Sequence, residues 1–247
     1  MTSTAGRRMS VADSRGSAVA GAQTLDRGIR ILWHLAERPN GETLTEMARS
    51  LGLNRNALHR MLEALAAHNL VRRTEDKRFH LAYGLVELAS AVDSDLRGLA
   101  YPIMAALADS VDATAHLMVP VSDVEVQAVL VVEPRLAAAH IAFRTGQRHP
   151  IDRGSGGIAI LAGRAARHDD PAEVMTAREQ GYAVSTGHVI PGVIGVSVPV
   201  ETPPTMSEVS IGVSLVDPEA VDQVAPQVVK AARELSAQLF ASRSRVR

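Results

Sequence analysis

The chain has 247 residues, no cysteine, and 26 Lys and Arg against 27 Asp and Glu. That length holds one large domain or two ordinary ones of about 100 to 200 residues, enough to bury a core without cross-links. The missing cysteines exclude disulfides, thiolate metal sites and a cysteine nucleophile.

The near-neutral total hides an asymmetry. Residues 1–83 carry 13 basic and 8 acidic side chains, whereas residues 84–247 carry 13 and 19. A basic end joined to an acidic remainder points to a nucleic-acid-binding part attached to a domain with another task. Residues 1 to about 20 are rich in Ser, Gly, Ala and Arg without hydrophobic period, and read as a disordered arm, 1–20. They lack the apolar core of a secretory signal. No apolar run approaches the ~20 residues that span a bilayer, so the expectation is a soluble, cytoplasmic protein with no membrane partner.

Thr24 to Arg38 places Leu25, Ile29, Leu32, Trp33 and Ala36 at helical spacing, and Pro39-Asn40-Gly41 stops the helix. Trp33 is expected in the core. Next, Thr43 and Glu46 have capping-box spacing, with Leu44, Met47, Ala48 and Leu51 forming one apolar face before Gly52 breaks the pattern. A second helix follows, with Leu58, Met61, Leu62 and Leu65 on one face and Asn56, His59, Arg60 and Glu63 on the other. Helix, glycine turn and basic-faced helix describe a helix-turn-helix, whose second helix enters the major groove. Around Val71 and around Phe79 and Leu81, two short segments flank a charged turn at 74–77. Arg72, Arg73, Lys77 and Arg78 make this hairpin basic, so it reads as the wing of a winged helix.

Gly84 to Leu99 has a narrow apolar stripe and reads as a linker helix that also pairs with another subunit. Pro102 is expected near the start of a further helix running towards Val111. The remainder alternates. Strands are expected at 114–121, 125–132, 138–143, 193–200 and 209–215, with helices at 155–167 and 171–181. Asp217-Pro218 caps a last helix whose Val221, Val224, Val228, Ala232, Leu235 and Leu239 share one face. This is an α+β domain with a mainly antiparallel sheet.

Several stretches, in this order, resemble the IclR family of bacterial transcription regulators over residues 23 to 240. They are Leu25-Asp-Arg-Gly-Ile-Arg-Ile-Leu32, Leu53-Asn-Arg-Asn-Ala-Leu-His-Arg-Met-Leu62, Phe79-His-Leu-Ala-Tyr-Gly84 and Gly146-Gln-Arg-His-Pro-Ile151. Then come Gly157 with Leu161-Ala162, Gly181-Tyr182, and Pro191-Gly-Val193 leading into Val198-Pro-Val200. The resemblance implies a winged helix-turn-helix at 21–83, a linker helix at 84–99 and a GAF-like effector domain at 100–247. It also implies a homodimer or tetramer on double-stranded operator DNA, modulated by a small metabolite, often a carboxylate. The chain departs from the family where Asn54-Arg-Asn-Ala57 opens the recognition helix, where Ile-Asp-Arg-Gly-Ser-Gly-Gly157 follows Pro150, and at Ser185 and Gly195. Neither operator nor effector identity therefore transfers.

For DNA, Asn56 and His59 are the candidates for base edges. Arg55 and Arg60 suit base or phosphate, and Thr43, Thr45, Arg72, Arg73, Lys77 and Arg78 suit phosphates; Asn54, at the start of the recognition helix, joins them as a DNA-binding candidate. For the effector, Gly154-Ser155-Gly156-Gly157 precedes a helix, whose N-terminal amides form an anion site. Ser185, Gly195, Ser197, Gly212 and Ser214 would complete a polar lining, with Met118 and Leu130 as apolar wall, and these small residues leave room for more than a two-carbon acid.

No Gly-x-Ser-x-Gly, HExxH or Walker A sequence occurs, and His116 and His140 read as strand residues. No catalytic, metal or cofactor site is expected. The chain thus reads as a ligand-responsive repressor, not an enzyme. The alternative from another class is a metabolite-binding module or enzyme whose winged helix serves protein contacts.

Overall fold

The structure is a computed structural model that describes residues 22–90, 94–136, 141 and 143–244. The expected arm at 1–20, His140 and most of the expected strand at 138–143 lie outside these residues. The chain divides into two compact units, the second starting after residue 92 in sequence.

In the first unit, helix α1 (Gln23–Ala36) is followed by strand β1 (Glu42–Thr43), helices α2 (Leu44–Leu51) and α3 (Arg55–Ala67), strands β2 (Val71–Arg73) and β3 (Arg78–Leu81), and helix α4 (Gly84–Ser90). Antiparallel pairing gives a three-stranded sheet in the order β1-β3-β2. Thr43 forms the expected capping box. Its hydroxyl accepts from the Glu46 amide at 3.3 Å, and the Glu46 carboxylate accepts from the Thr43 amide at 2.9 Å. Gly52 ends α2 at φ 63, in the left-handed region where a Cβ is costly. Asn54 then caps α3, accepting from the amides of Asn56 and Ala57.

The core of this unit is Ile31, Leu35, Met47, Leu58, Leu62, Val71 and Phe79. Trp33 is not among them: α1 carries apolar residues on two faces, and the Ile31–Leu35 face is the one that packs. Leu25, Ile29 and Trp33 lie on the other, with Leu25 66% exposed. Beside α1 the buried His34 joins a partly exposed polar cluster, in which His34 Nε2 meets Glu42 Oε2 at 2.6 Å and Arg38 Nε donates to Glu42 Oε1 at 2.8 Å.

The second unit begins with α5 (Ser94–Val111), followed by β4 (Thr114–Pro120), β5 (Glu125–Val132), β6 (Arg148–Pro150), α6 (Ser155–Gly163), α7 (Ala172–Gln180), β7 (Ala183–Thr186), β8 (Ile194–Val200) and β9 (Val209–Leu215). A 3₁₀ turn at Pro218–Ala220 leads into α8 (Val221–Ser244). Pro102 lies inside α5 rather than near its start. The short strands β6 and β7 escape a periodicity reading because each is an edge, with all of β6 and half of β7 exposed or partly so.

All six strands pair antiparallel in the order β6-β5-β4-β9-β8-β7. One face of the sheet, through Ala115, Leu117, Val196, Val198, Ile211 and Val213, packs on α5 and α8. The opposite face carries His116, Met118, Ser197, Ser210 and Gly212 by simple alternation, and α6 lies over it. α7 packs beside α6 through Val174 and Ala177.

Replacing Thr43 with Ala removes one half of the capping box. The expected result is a loss of about 1 kcal/mol from the first unit, read as a lower urea midpoint; an unchanged midpoint would show that the cap contributes nothing.

Candidate functional site

The DNA-facing candidates gather at the start of α3 and along the β2–β3 hairpin. Arg55, Asn56 and Arg60 are exposed on the first turns of α3, and His59 is partly exposed, 3.4 Å from Glu63. Capping by Asn54 leaves the α3 N-terminus with its side chains pointing outward, but commits the Asn54 carbonyl to the helix. Thr43 is committed in the same way, while Thr45 stays exposed one residue into α2. In the hairpin, Arg72, Arg73 and Lys77 are exposed, and the Arg73 guanidinium sits 5.5 Å from the Phe79 ring centre. The turn closes through Lys77 N–H to Thr74 O and Thr74 N–H to Arg78 O. Arg78 points back instead: it donates to Gly41 O at 3.1 Å and approaches Glu46 and Asp76. Its charge is therefore partly spent inside the unit.

The second site is a small cavity of about 30 Å³ between the N-terminus of α6, the sheet and the 188–193 loop. Seven expected residues line it: Met118, Gly154, Ser155, Gly156, Ser185, Gly195 and Ser214. Four do not. Leu130 faces α5 and α8 because β5 bulges: Leu117 pairs with Leu130 but Met118 with Ala128. The extra residue, Val129, moves Leu130 to the other face of the sheet although its alternation is unbroken. Gly157 lies against the Ile151 carbonyl, where a Cβ would collide. Ser197 stands behind Ser155, and Gly212 supplies the space that the Ser197 hydroxyl and the His116 ring occupy.

The serines mainly moor the helix. Ser185 Oγ accepts the Ser155 amide at 2.8 Å, Ser155 Oγ and Ser197 Oγ are 2.7 Å apart, and Ser210 Oγ donates to Gly156 O at 2.8 Å. Small residues here serve the close approach of α6, so the free space is less than their volumes suggest. Of the first-turn amides, Ser155 is thus taken, while those of Gly156 and Gly157 find no acceptor among the described residues. They and the helix dipole favour an anion.

The residues that sequence reading missed are the histidines and the apolar wall: His116, His149 and His188, with Phe143, Val189, Ile190 and Val193. His116 is buried on the sheet floor, its ring tilted 55° to Phe143 at 5.3 Å, and its Nδ1 has no hydrogen-bond partner. Burial, and next the neighbouring His149, push the His116 imidazole down to about 4. Burial also lowers His149. Alternation alone would have placed His116 beside Met118, two residues away on the same strand face. Among the described residues no three His, Asp or Glu side chains gather into a metal-holding group, and no helix is long and apolar enough to cross a membrane.

A folded pKa near 4 against about 6.5 unfolded fixes the sign of the pH dependence. Above about 6.5 both states are neutral; as pH falls towards 4 the unfolded state takes a proton first, so stability is lost. The loss attributable to His116 is about 3 kcal/mol. Urea unfolding at pH 7 and pH 4.5 should show a smaller acid loss in His116→Asn than in the wild type; equal losses would contradict the assignment.

Residues 24–75 match the IclR helix-turn-helix domain, and no curated protein matches the chain significantly. Among solved structures, an IclR transcriptional regulator from Alicyclobacillus acidocaldarius is 25% identical, with a TM-score of 0.69 over 90% of this chain and 99% of that one. An IclR homologue from Microbacterium hydrocarbonoxydans, complexed with 4-hydroxybenzoate, has a TM-score of 0.74 at 20% identity, over 88% and 99%. HmgR of Pseudomonas aeruginosa has 0.69 at 20%, over 88% and 99%.

Proposed function

We propose that this chain, an IclR-type protein by its helix-turn-helix domain and its fold, is a cytoplasmic repressor whose operator binding is modulated by a small carboxylate. The carrying observation is the capped start of α3, which presents Arg55, Asn56, His59 and Arg60 beside a basic hairpin. Side chains at the N-terminal end of a recognition helix reach base edges, and Arg and Asn are the types that bond guanine and adenine bidentately. Arg72, Arg73 and Lys77 supply phosphate contacts that position the unit without reading sequence.

The effector half of the reading rests on the cavity at the α6 N-terminus, with the available amide of Gly156 and apolar walls. The 4-hydroxybenzoate complex of the Microbacterium hydrocarbonoxydans protein supports a carboxylate as the ligand class. A symmetric dimer or tetramer on a two-fold operator follows the docking geometry of helix-turn-helix proteins. Exposed Leu25 and Ile29 on α1 and Val86 and Leu88 on α4 offer apolar surface for that assembly. Residues 21–83 would form the DNA-binding domain, 84–99 the linker and 100–247 the effector domain. Effector binding then acts by population shift, favouring one arrangement of the subunits over another.

Fluorescence polarisation on the chain's own upstream intergenic DNA, against scrambled DNA at two salt concentrations, tests the DNA half. Specific binding is expected. Arg73→Ala and Lys77→Ala should weaken binding to both DNAs and lower the salt slope by about one each, while Asn56→Ala should cost about 1–3 kcal/mol of discrimination at one base pair. An unchanged slope in the hairpin variants would remove their phosphate role.

A further inference from the structure

One polar side chain that lines the cavity, His116, takes no part in mooring α6. His116 stands on β4 opposite Gly212 of β9, a register that only glycine permits, because a Cβ there would reach the imidazole. The ring is 4% exposed, packs against Phe143, and leaves Nδ1 without a partner, the sole such side-chain atom among the described residues. A buried, unpaired nitrogen costs folding free energy, so its presence calls for an explanation, a bound group among them.

The remaining floor and walls narrow what that ligand group is. Anionic character belongs at the Gly156 amide, in the first turn of α6. Among the charged and titratable groups near the cavity, His149 is lowered by burial and is turned to the Pro150 carbonyl, with Nδ1 to O at 2.9 Å. His188 sits at the rim 3.7 Å from Glu173. At neutral pH the His116 ring is itself uncharged, so it matches a hydroxyl or carbonyl group rather than a second carboxylate.

We propose that His116 is the specificity-determining residue of the effector site, its Nδ1 hydrogen-bonding a hydroxyl or carbonyl of an organic acid whose carboxylate meets the α6 N-terminus. This rests on the carboxylate reading above and adds which acids are accepted. Acids lacking the second polar group leave the imidazole unpaired and bind weakly, since a site built around a hydrogen bond rejects the analogue that lacks it.

Calorimetry on the full chain with two matched pairs, lactate against propionate and 4-hydroxybenzoate against benzoate, tests this. In the wild type one hydroxylated acid is expected to bind about tenfold or more tighter than its partner. His116→Leu should bring that ratio below about threefold while the unsubstituted acid binds as before. His116→Asn, which can place an amide near the Nδ1 position, should keep a preference that His116→Gln loses; this pair serves equally if the leucine variant fails to fold. An equal preference in wild type and His116→Leu, or acids that bind with no preference, overturns the role of His116 and leaves the carboxylate site standing. Failure of all four acids to bind the wild type overturns both.

Discussion

The approach of α6 to the sheet is the constraint on which the second unit depends. Two helical glycines, Gly156 and Gly157, bring the helix N-terminus against Met118 and the Ile151 carbonyl, where any side chain would collide. Serines on three strands hold it there: Ser185, Ser197 and Ser210 bond Ser155 and Gly156 from β7, β8 and β9. These bonds are buried and complete, so they fix geometry more than they add stability. What they leave behind is a helix start whose unused Gly156 amide lines a cavity. The cavity arises as the remainder of a packing solution.

The first unit solves the opposite problem, keeping polar groups outside. Thr43 and Asn54 close the N-termini of α2 and α3 with their own side chains, so the outward residues of α3 are left for a partner. The His34–Glu42–Arg38 cluster ties α1 to β1, and Phe79 anchors β3 beneath Arg73. Rigid support of this kind is what a surface needs if it is to read a regular duplex.

Much of this was legible in the residues. Thr43 with Glu46, Gly52, and the alternation of β4, β5, β8 and β9 each obey one local rule, and the structure follows them. Difficulty arose where a tertiary choice overrode the pattern. α1 is apolar on two faces, and which one packs, Ile31 with Leu35 or Leu25 with Ile29, depends on α2 and α3. One bulge at Val129 turned Leu130 away from the cavity without any break in alternation. Serines that looked like ligand contacts were used to hold a helix, because a hydroxyl satisfies an amide as readily as an effector can. His116 was the reverse: a residue read as an ordinary strand position became informative only when its nitrogen was seen to be buried and unpaired.

The central claim is that one chain couples a DNA-reading surface to a small-acid cavity. Its most direct test is the apparent dissociation constant for upstream intergenic DNA, measured by polarisation with and without a saturating acid that calorimetry shows to bind. The account predicts sequence-specific binding whose strength changes by about fivefold or more when the acid is present. Specific binding indifferent to a bound acid would break the coupling, and equal affinity for scrambled DNA would reduce the first unit to a basic surface.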